Sequence, residues 1–317
     1  MRGIEGQPQP ALLREGGAKR GGGEENELHE INKNIDSLRR ITRSISPPCC
    51  AELLSDTMRL LHTTNLEVVS FVGDPPRYAI LSHTWEDEEV SLQDLYPGGK
   101  GKQMKGYAKL QDSSALAASQ GYEYIWTDTC CIDKTSSAEL SEAINSMFRW
   151  YQEADVCYAF LTDVSTTSSI VDSATAGSDE DAILREVVAA RWFTRGWTLQ
   201  ELIAPKALHF FNRNRAHLGS KDEATRAINL AAGIPPEAFL GSDLSEISVY
   251  RRMQWVSTRT TTRQEDMAYC MLGIFDVNMP LLYGEGRKKA FLRLQEEIMK
   301  GSTDLSHLPL DTPGKPH

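Results

Sequence analysis

Four short apolar runs separated by helix-length patterns constrain this chain most: Tyr78 to His83 (YAILSH), Glu123 to Thr127 (EYIWT), Val156 to Leu161 (VCYAFL) and Ala207 to Phe211 (ALHFF). Each has the length of a strand, and Tyr78 to His83, a short apolar run after the turn at Gly73–Pro76, reads as a buried one. Between them lie a helical pattern from Tyr107 to Gln120, a helix with Leu140, Ile144, Met147 and Tyr151 on one face, and a third from Ile183 to Phe193. Strands that alternate with helices predict an α/β fold, a parallel sheet flanked by helices. After residue 212 the pattern changes. Segments near Lys221–Ala232, Ser248–Val256, Glu265–Leu272 and Glu285–Lys300, separated by stops such as Gly273 and Pro280, predict a mostly helical carboxyl-terminal subdomain. It is expected to cover the sheet edge and face that four strands and three crossovers leave open.

The main domain is therefore expected over residues 58–305, with an α/β core at 58–212 and the helical subdomain at 213–305. Glycine, proline and charge dominate up to Glu25, which reads as a disordered extension within residues 1–57. Inside it Leu28, Ile31, Ile35, Leu38 and Ile45 fall at alternating three- and four-residue spacings, with polar Thr42 in the same seam. This predicts a short amphipathic helix at about 26–45, ended by Pro47 and Pro48. Packing on the main domain and pairing with another chain both fit it. Residues 306–317 read as a disordered tail.

A net charge of −10 and a pI near 5.3 argue against nucleic-acid or anionic-membrane binding as the general activity. No run of about 18 apolar residues is present, so no membrane span is expected. The six cysteines form no C-x-x-C, and the seven histidines show no metal-ligand spacing beside them, so no metal site is expected. The first 25 residues lack an apolar signal core. A reducing, cytoplasmic location is the expectation.

Arg191 to Pro205 (RWFTRGWTLQELIAP) is the densest chemical signal. Glu201 has two readings. In one, Thr198 is an N-cap and Glu201 closes a capping box. In the other, the same carboxylate stands at a cleft rim beside Trp197 and stabilises a cationic transition state. The same S/T-x-x-E spacing recurs at Ser136/Glu139 and Thr262/Glu265, where helix capping is the preferred reading, and Arg263 and Asp266 are read as a buried ion pair. Residues 283–287 (YGEGR) fit a tight turn opening the last helix. The Gly98–Lys102 run lacks phosphate-loop spacing. Cys130 and Cys131 read as packed thiols.

Five ordered motifs carry a resemblance: YAILSHTW (78–85), YIWTDTCCIDK (124–134), MFRWYQEADVCYAFL (147–161), RWFTRGWTLQELIAP (191–205) and the long run from Arg259 to Ile298. Together they resemble the fungal heterokaryon-incompatibility (HET) domain over about residues 58–305. The resemblance implies an effector of nonself recognition whose activation leads to programmed cell death, often joined to a nucleotide-binding oligomerisation module and repeats. With neither following here, a stand-alone effector or a truncated product is expected, and an upstream nucleotide-binding sensor would be another protein.

A more remote resemblance is to the Toll/interleukin-1 receptor (TIR) domain, which has a flavodoxin-like fold. GWTLQEL is similar to the plant TIR segment whose glutamate is catalytic in NAD hydrolysis, which maps that role onto Glu201. Thr198 stands where a cysteine is usual, and the polar segment 165–182 is an insertion. The resemblance implies NAD as substrate rather than cofactor, activation by self-association, and a pocket at the carboxyl ends of the strands. Ser82, His83, Trp85, Asp128, Asp133 and Trp197 are the candidate nucleotide-binding residues there. Each also has a plainer reading: strand end for Ser82 and His83, loop or cap for Asp128 and Asp133, core wall for Trp197. A non-enzymatic adaptor that works by homotypic assembly is the alternative function.

Overall fold

The computed structural model describes residues 57–170 and 178–301. The expected helix at 26–45 and the tail at 306–317 lie outside the described residues. Seven strands form one mixed sheet: β1 Thr57–His62, β2 Val68–Val72, β3 Tyr78–His83, β4 Tyr124–Trp126, β5 Val156–Phe160, β6 Leu208–Phe211 and β7 His217–Ser220, in the order β2-β1-β4-β3-β5-β6-β7. The four strands expected from the apolar runs are β4, β3, β5 and β6, all parallel. Every residue of β3 and of β5 is buried, as strands covered on both faces require.

Three strands were not anticipated, and they make the sheet mixed rather than wholly parallel. β1 pairs antiparallel with both β2 and β4, and β7 pairs antiparallel with β6. The edges of the parallel core are thus capped by hairpins, where helices alone were expected. The β6–β7 hairpin turns through Arg215 at φ 62°, and the Asn212 side chain accepts from the backbone N–H groups of Asn214 and Ala216, both at 2.9 Å. A four-residue strand with Gly219 and Ser220 in it carries too little apolar signal to be read as one.

The helices are α1 Leu92–Leu95, α2 Gly106–Ser119, α3 Ser137–Glu153, α4 Ser178–Val188, α5 Thr198–Ile203, α6 Thr225–Ala232, α7 Pro236–Phe239, α8 Val249–Ser257, α9 Asp266–Tyr269 and α10 Arg287–Gly301. The pattern at 183–193 resolves into the end of α4 and a separate 3-10 turn, Arg191–Thr194. Apart from β7, the carboxyl-terminal part is helical as expected. Among the described residues no helix is long and apolar enough to cross a membrane.

Topology fixes where a ligand would sit. From β3 the chain crosses by α2 to β4 on one side, then by α3 back over β3 to β5 on the other. The four parallel strands run second, first, third, fourth in chain order, as doubly wound flavodoxin-like sheets begin. Such sheets bind ligands outside the strand carboxyl ends at the point where the direction reverses, here between β3 and β5. Right-handed crossovers put α2 and α3 on opposite faces. Trp126 on β4 packs against Trp150 and Tyr151 of α3, with ring centroids 5.7 Å apart in both pairs. This locks α3 beneath that reversal point.

Candidate functional site

Ser82 and His83 end β3 at the reversal point, and both are buried. The Ser82 hydroxyl donates to Oε2 of Glu201, and it accepts from the indole Nε1–H of Trp192 at 2.8 Å. Tyr151 of α3, whose hydroxyl donates to the Leu81 carbonyl at 3.0 Å, adds a further hydrogen-bonding contribution to Glu201. Glu201 is 6% exposed. Burial and the nearby Asp128 carboxylate push its carboxyl up to about 8, against the opposing pull of Ser82, Arg259 and Tyr151. Near neutral pH the group is therefore largely protonated, poised to lose its proton to a modest electrostatic change.

The expected capping box at Thr198 is not formed. Helix α5 begins at Thr198 itself, with Trp197 as its N-cap and no side-chain cap. The Thr198 hydroxyl donates to the Trp192 carbonyl and accepts from Nη1 of Arg259 at 2.9 Å. Both side chains of the anticipated pair are spent on tertiary partners. The loop before α5 is docked on the Arg259–Thr261 segment: Gly196 N–H donates to the Thr260 carbonyl at 2.9 Å, and Thr260 N–H to the Thr194 carbonyl at 2.7 Å. The approach is close enough that a Cβ on Gly196 would lie 2.4 Å from Cγ2 of Thr261.

A second polar cluster adjoins Glu201. Asp128, at the exit of β4, accepts from the Trp85 indole at 2.7 Å and lies 3.3 Å from Nε2 of His83. Burial raises the Asp128 carboxyl, but His83, the Lys134 charge and the Trp85 indole outweigh it and hold the group below its ordinary value. On the far side of the His83 ring, Nδ1 is 3.1 Å from Nζ of Lys109. The same Nδ1 is 3.2 Å from the Thr84 carbonyl, so the ring is held between Lys109 and Thr84 on one side and Asp128 on the other. Buried Lys109 also donates to Glu89 and is 3.7 Å from Glu86. Lys134 lies 3.8 Å over the Trp85 ring, half of which is exposed, and Arg191 donates to the Thr84 hydroxyl at 3.1 Å.

Ser82, His83, Trp85, Asp128 and Glu201 are thus gathered at one end of the sheet. Asp133 and Trp197 are engaged elsewhere. Oδ1 of Asp133 accepts from Gln93 and from the amide and hydroxyl of Thr135, which makes it a turn residue. Trp197 donates to Asp266 at 3.3 Å and walls the carboxyl-terminal segment. That segment differs from expectation in two details. Arg263 stacks on the Tyr283 ring at 4.1 Å, while Asp266 takes its hydrogen bonds from Tyr283 and Trp197. Glu265 receives the N–H groups of Gly284 and Gly286, both at 2.9 Å, so it pins the YGEGR turn instead of capping a helix with Thr262. The Ser136 cap does form, its hydroxyl accepting from the Glu139 N–H.

Sequence reading missed Lys109, Trp192 and Arg259. A lysine inside the buried face of α2 was a visible signal for the first. Trp192 lay in the quoted motif but only the structure assigns its indole to Ser82. Arg259 opens the polar run Arg259–Asp266, whose density of polar groups was visible, but nothing local ties it to Glu201.

Residues 78–201 match the family model for heterokaryon incompatibility protein (HET), a stretch that begins with β3 and ends on Glu201. The chain is also similar to vegetative incompatibility protein HET-E-1 of Podospora anserina, with 49% identity over 243 residues, 76% of this chain and 17% of that protein. It therefore spans a small part of the curated relative it matches. No solved structure matches it. Motif order, family match and relative agree, and the chain belongs to the proteins that carry a HET domain.

Proposed function

We propose that this chain is a cytoplasmic effector of heterokaryon incompatibility that triggers programmed cell death by hydrolysing NAD at the nicotinamide–ribose bond, with Glu201 as the catalytic carboxylate. The observation that carries the reading is the buried Glu201 carboxyl, held by Ser82 at the reversal point of the sheet and poised near 8. Bond cleavage leaves an oxocarbenium-like centre on the ribose while the bonding pair neutralises the departing pyridinium, so no strong acid is needed. Water then adds to the anomeric carbon and releases a proton. A carboxylate beside that centre stabilises the charge. A bound nicotinamide cation pulls the proton off Glu201, so the substrate itself generates the working form.

Trp85 offers its exposed ring as a stacking surface, and Asp128 with His83 offers hydrogen bonds for ribose hydroxyls. Because Glu201 is so little exposed, catalysis requires an opening step. Self-association, or contact with a nucleotide-binding sensor, supplies one in this reading. The test is NAD consumption by purified protein at high concentration beside Glu201→Gln. Nicotinamide release lost in the variant supports the enzyme. The same near-complete burial favours a second reading, a non-enzymatic adaptor in which Ser82, Glu201 and Tyr151 simply brace β3 against α3 and α5. Undiminished cell killing by Glu201→Gln would select it.

A further inference from the structure

Arg259 is 3% exposed, yet only its Nη1 is engaged, donating to the Arg195 carbonyl at 2.8 Å and to the Thr198 hydroxyl at 2.9 Å. Its Nε and Nη2 are buried without a hydrogen-bond partner. An arginine left so is costly, since buried donors are normally satisfied and buried charges normally paired. Thr198 is three residues before Glu201 in the same short helix, so the guanidinium sits under the turn that carries the carboxylate. Arg259 comes from beyond the 78–201 stretch that the family model matches.

We propose that Arg259 is a positioning residue for Glu201: one nitrogen clamps the loop before α5, and the remaining charge is the built-in counter-ion of the ionised Glu201 carboxylate. The inference rests on the reading above in one respect, that the ionised form of Glu201 is the working one. Nε and Nη2 make no hydrogen bond, so the guanidinium charge has no full partner of its own. Ionisation completes the pair inside the protein, where opposite charges interact more strongly than in water. Electrostatics point the same way. Burial draws the guanidinium down to about 10, with Cys270 and Glu201 pulling back, and Arg259 in turn lowers Glu201. Glu201 is also faced by Asp128 from the β4 exit, Ser82 from β3, Tyr151 from α3 and Cys157 from β5. Among these groups Arg259 is the cation.

The test is a carbon-13 NMR titration of the glutamate carboxyls in the full-length protein, with Glu201→Gln identifying the Glu201 signal. Arg259→Met is expected to raise the Glu201 midpoint by about one pH unit or more, a tenfold weaker acid. Arg259→Lys, which keeps the charge, is expected to hold it within about half a pH unit of wild type. Should Arg259→Met not fold, Arg259→Gln takes its place in the comparison with Arg259→Lys. An unmoved midpoint in a folded charge-removing variant would overturn the proposal, as would equal changes in the lysine and neutral variants. NAD turnover measured on the same samples separates the two ideas. Absent turnover with a raised midpoint counts against the hydrolase while supporting the counter-ion.

Discussion

Ser82 donates its hydroxyl to Glu201 from 119 residues earlier in the chain, and the pair joins the carboxyl end of β3 to the first turn of α5. Trp192 completes the relay by donating to the same Ser82 oxygen. Neither contact can form until the sheet and the segment 191–201 have come together, so the site is a product of tertiary folding.

Replacing Ser82 with alanine would leave the Trp192 indole unpaired in the interior and take from the Glu201 carboxyl the hydroxyl that donates to it. An orphaned buried donor costs about 1–3 kcal/mol. Urea unfolding of Ser82→Ala is expected to show a loss in that range. A loss under about 0.5 kcal/mol would mean that the relay is structurally idle.

The charge state of Glu201 gives stability a definite pH slope. Its folded-state value, about 8, lies above the ordinary 4.5. The folded protein therefore holds a proton that the unfolded chain has released, and the stabilisation is complete below 4.5 and lost as pH rises through about 8. Glu201→Gln keeps the shape without the titration. Its melting temperature is expected to fall less than that of wild type between pH 6 and 9. The two stabilities should diverge by a few kcal/mol, at about 1.4 kcal/mol for each tenfold difference in acidity between the folded and unfolded chain. Parallel curves would show that Glu201 titrates normally.

Gly196 is a matter of space. Its missing side chain lets the loop before α5 lie against Thr261, whose hydroxyl donates to the Arg263 carbonyl and so holds its methyl in place. Gly196→Ala is expected to cost about 1–3 kcal/mol by overpacking. The second change Thr261→Ser, which deletes the clashing methyl and keeps the hydroxyl, should recover most of it. Chemical denaturation of the single and double variants checks this, and no recovery would place the strain elsewhere.

Lys109 neutralises Glu89 in the buried cluster behind His83. Lys109→Met should destabilise by about 1–3 kcal/mol, because it takes the ammonium partner from the half-buried Glu89 carboxylate. Adding Glu89→Leu should return most of that loss. If the double variant is no more stable than the single one, the lysine acts through another partner, and a double-mutant cycle reads the difference directly.

The parallel core was legible because β3 and β5 are buried on both faces and read as unbroken apolar runs. The hairpin strands were not, since β2 is half exposed at an edge and β7 contains Gly219 and Ser220. The site was legible one residue at a time and illegible as a network. Three S/T-x-x-E spacings looked alike, yet only Ser136 caps its helix. At the other two, Glu201 is taken by Ser82 and Glu265 by the amides of Gly284 and Gly286. Long-range partners displaced a local motif in both cases. Arg259 stayed hidden for the same reason: its meaning depends on Thr198 and Glu201, more than fifty positions away.

Nicotinamide release from NAD by concentrated wild-type protein, followed from pH 6 to 9 beside Glu201→Gln, tests the central claim most directly. Wild-type kcat/KM is expected to rise with pH toward a midpoint near 8, the value for the free carboxyl, and Glu201→Gln is expected to be inactive across the range. Equal release by both proteins, or none from wild type under conditions where it self-associates, would contradict it.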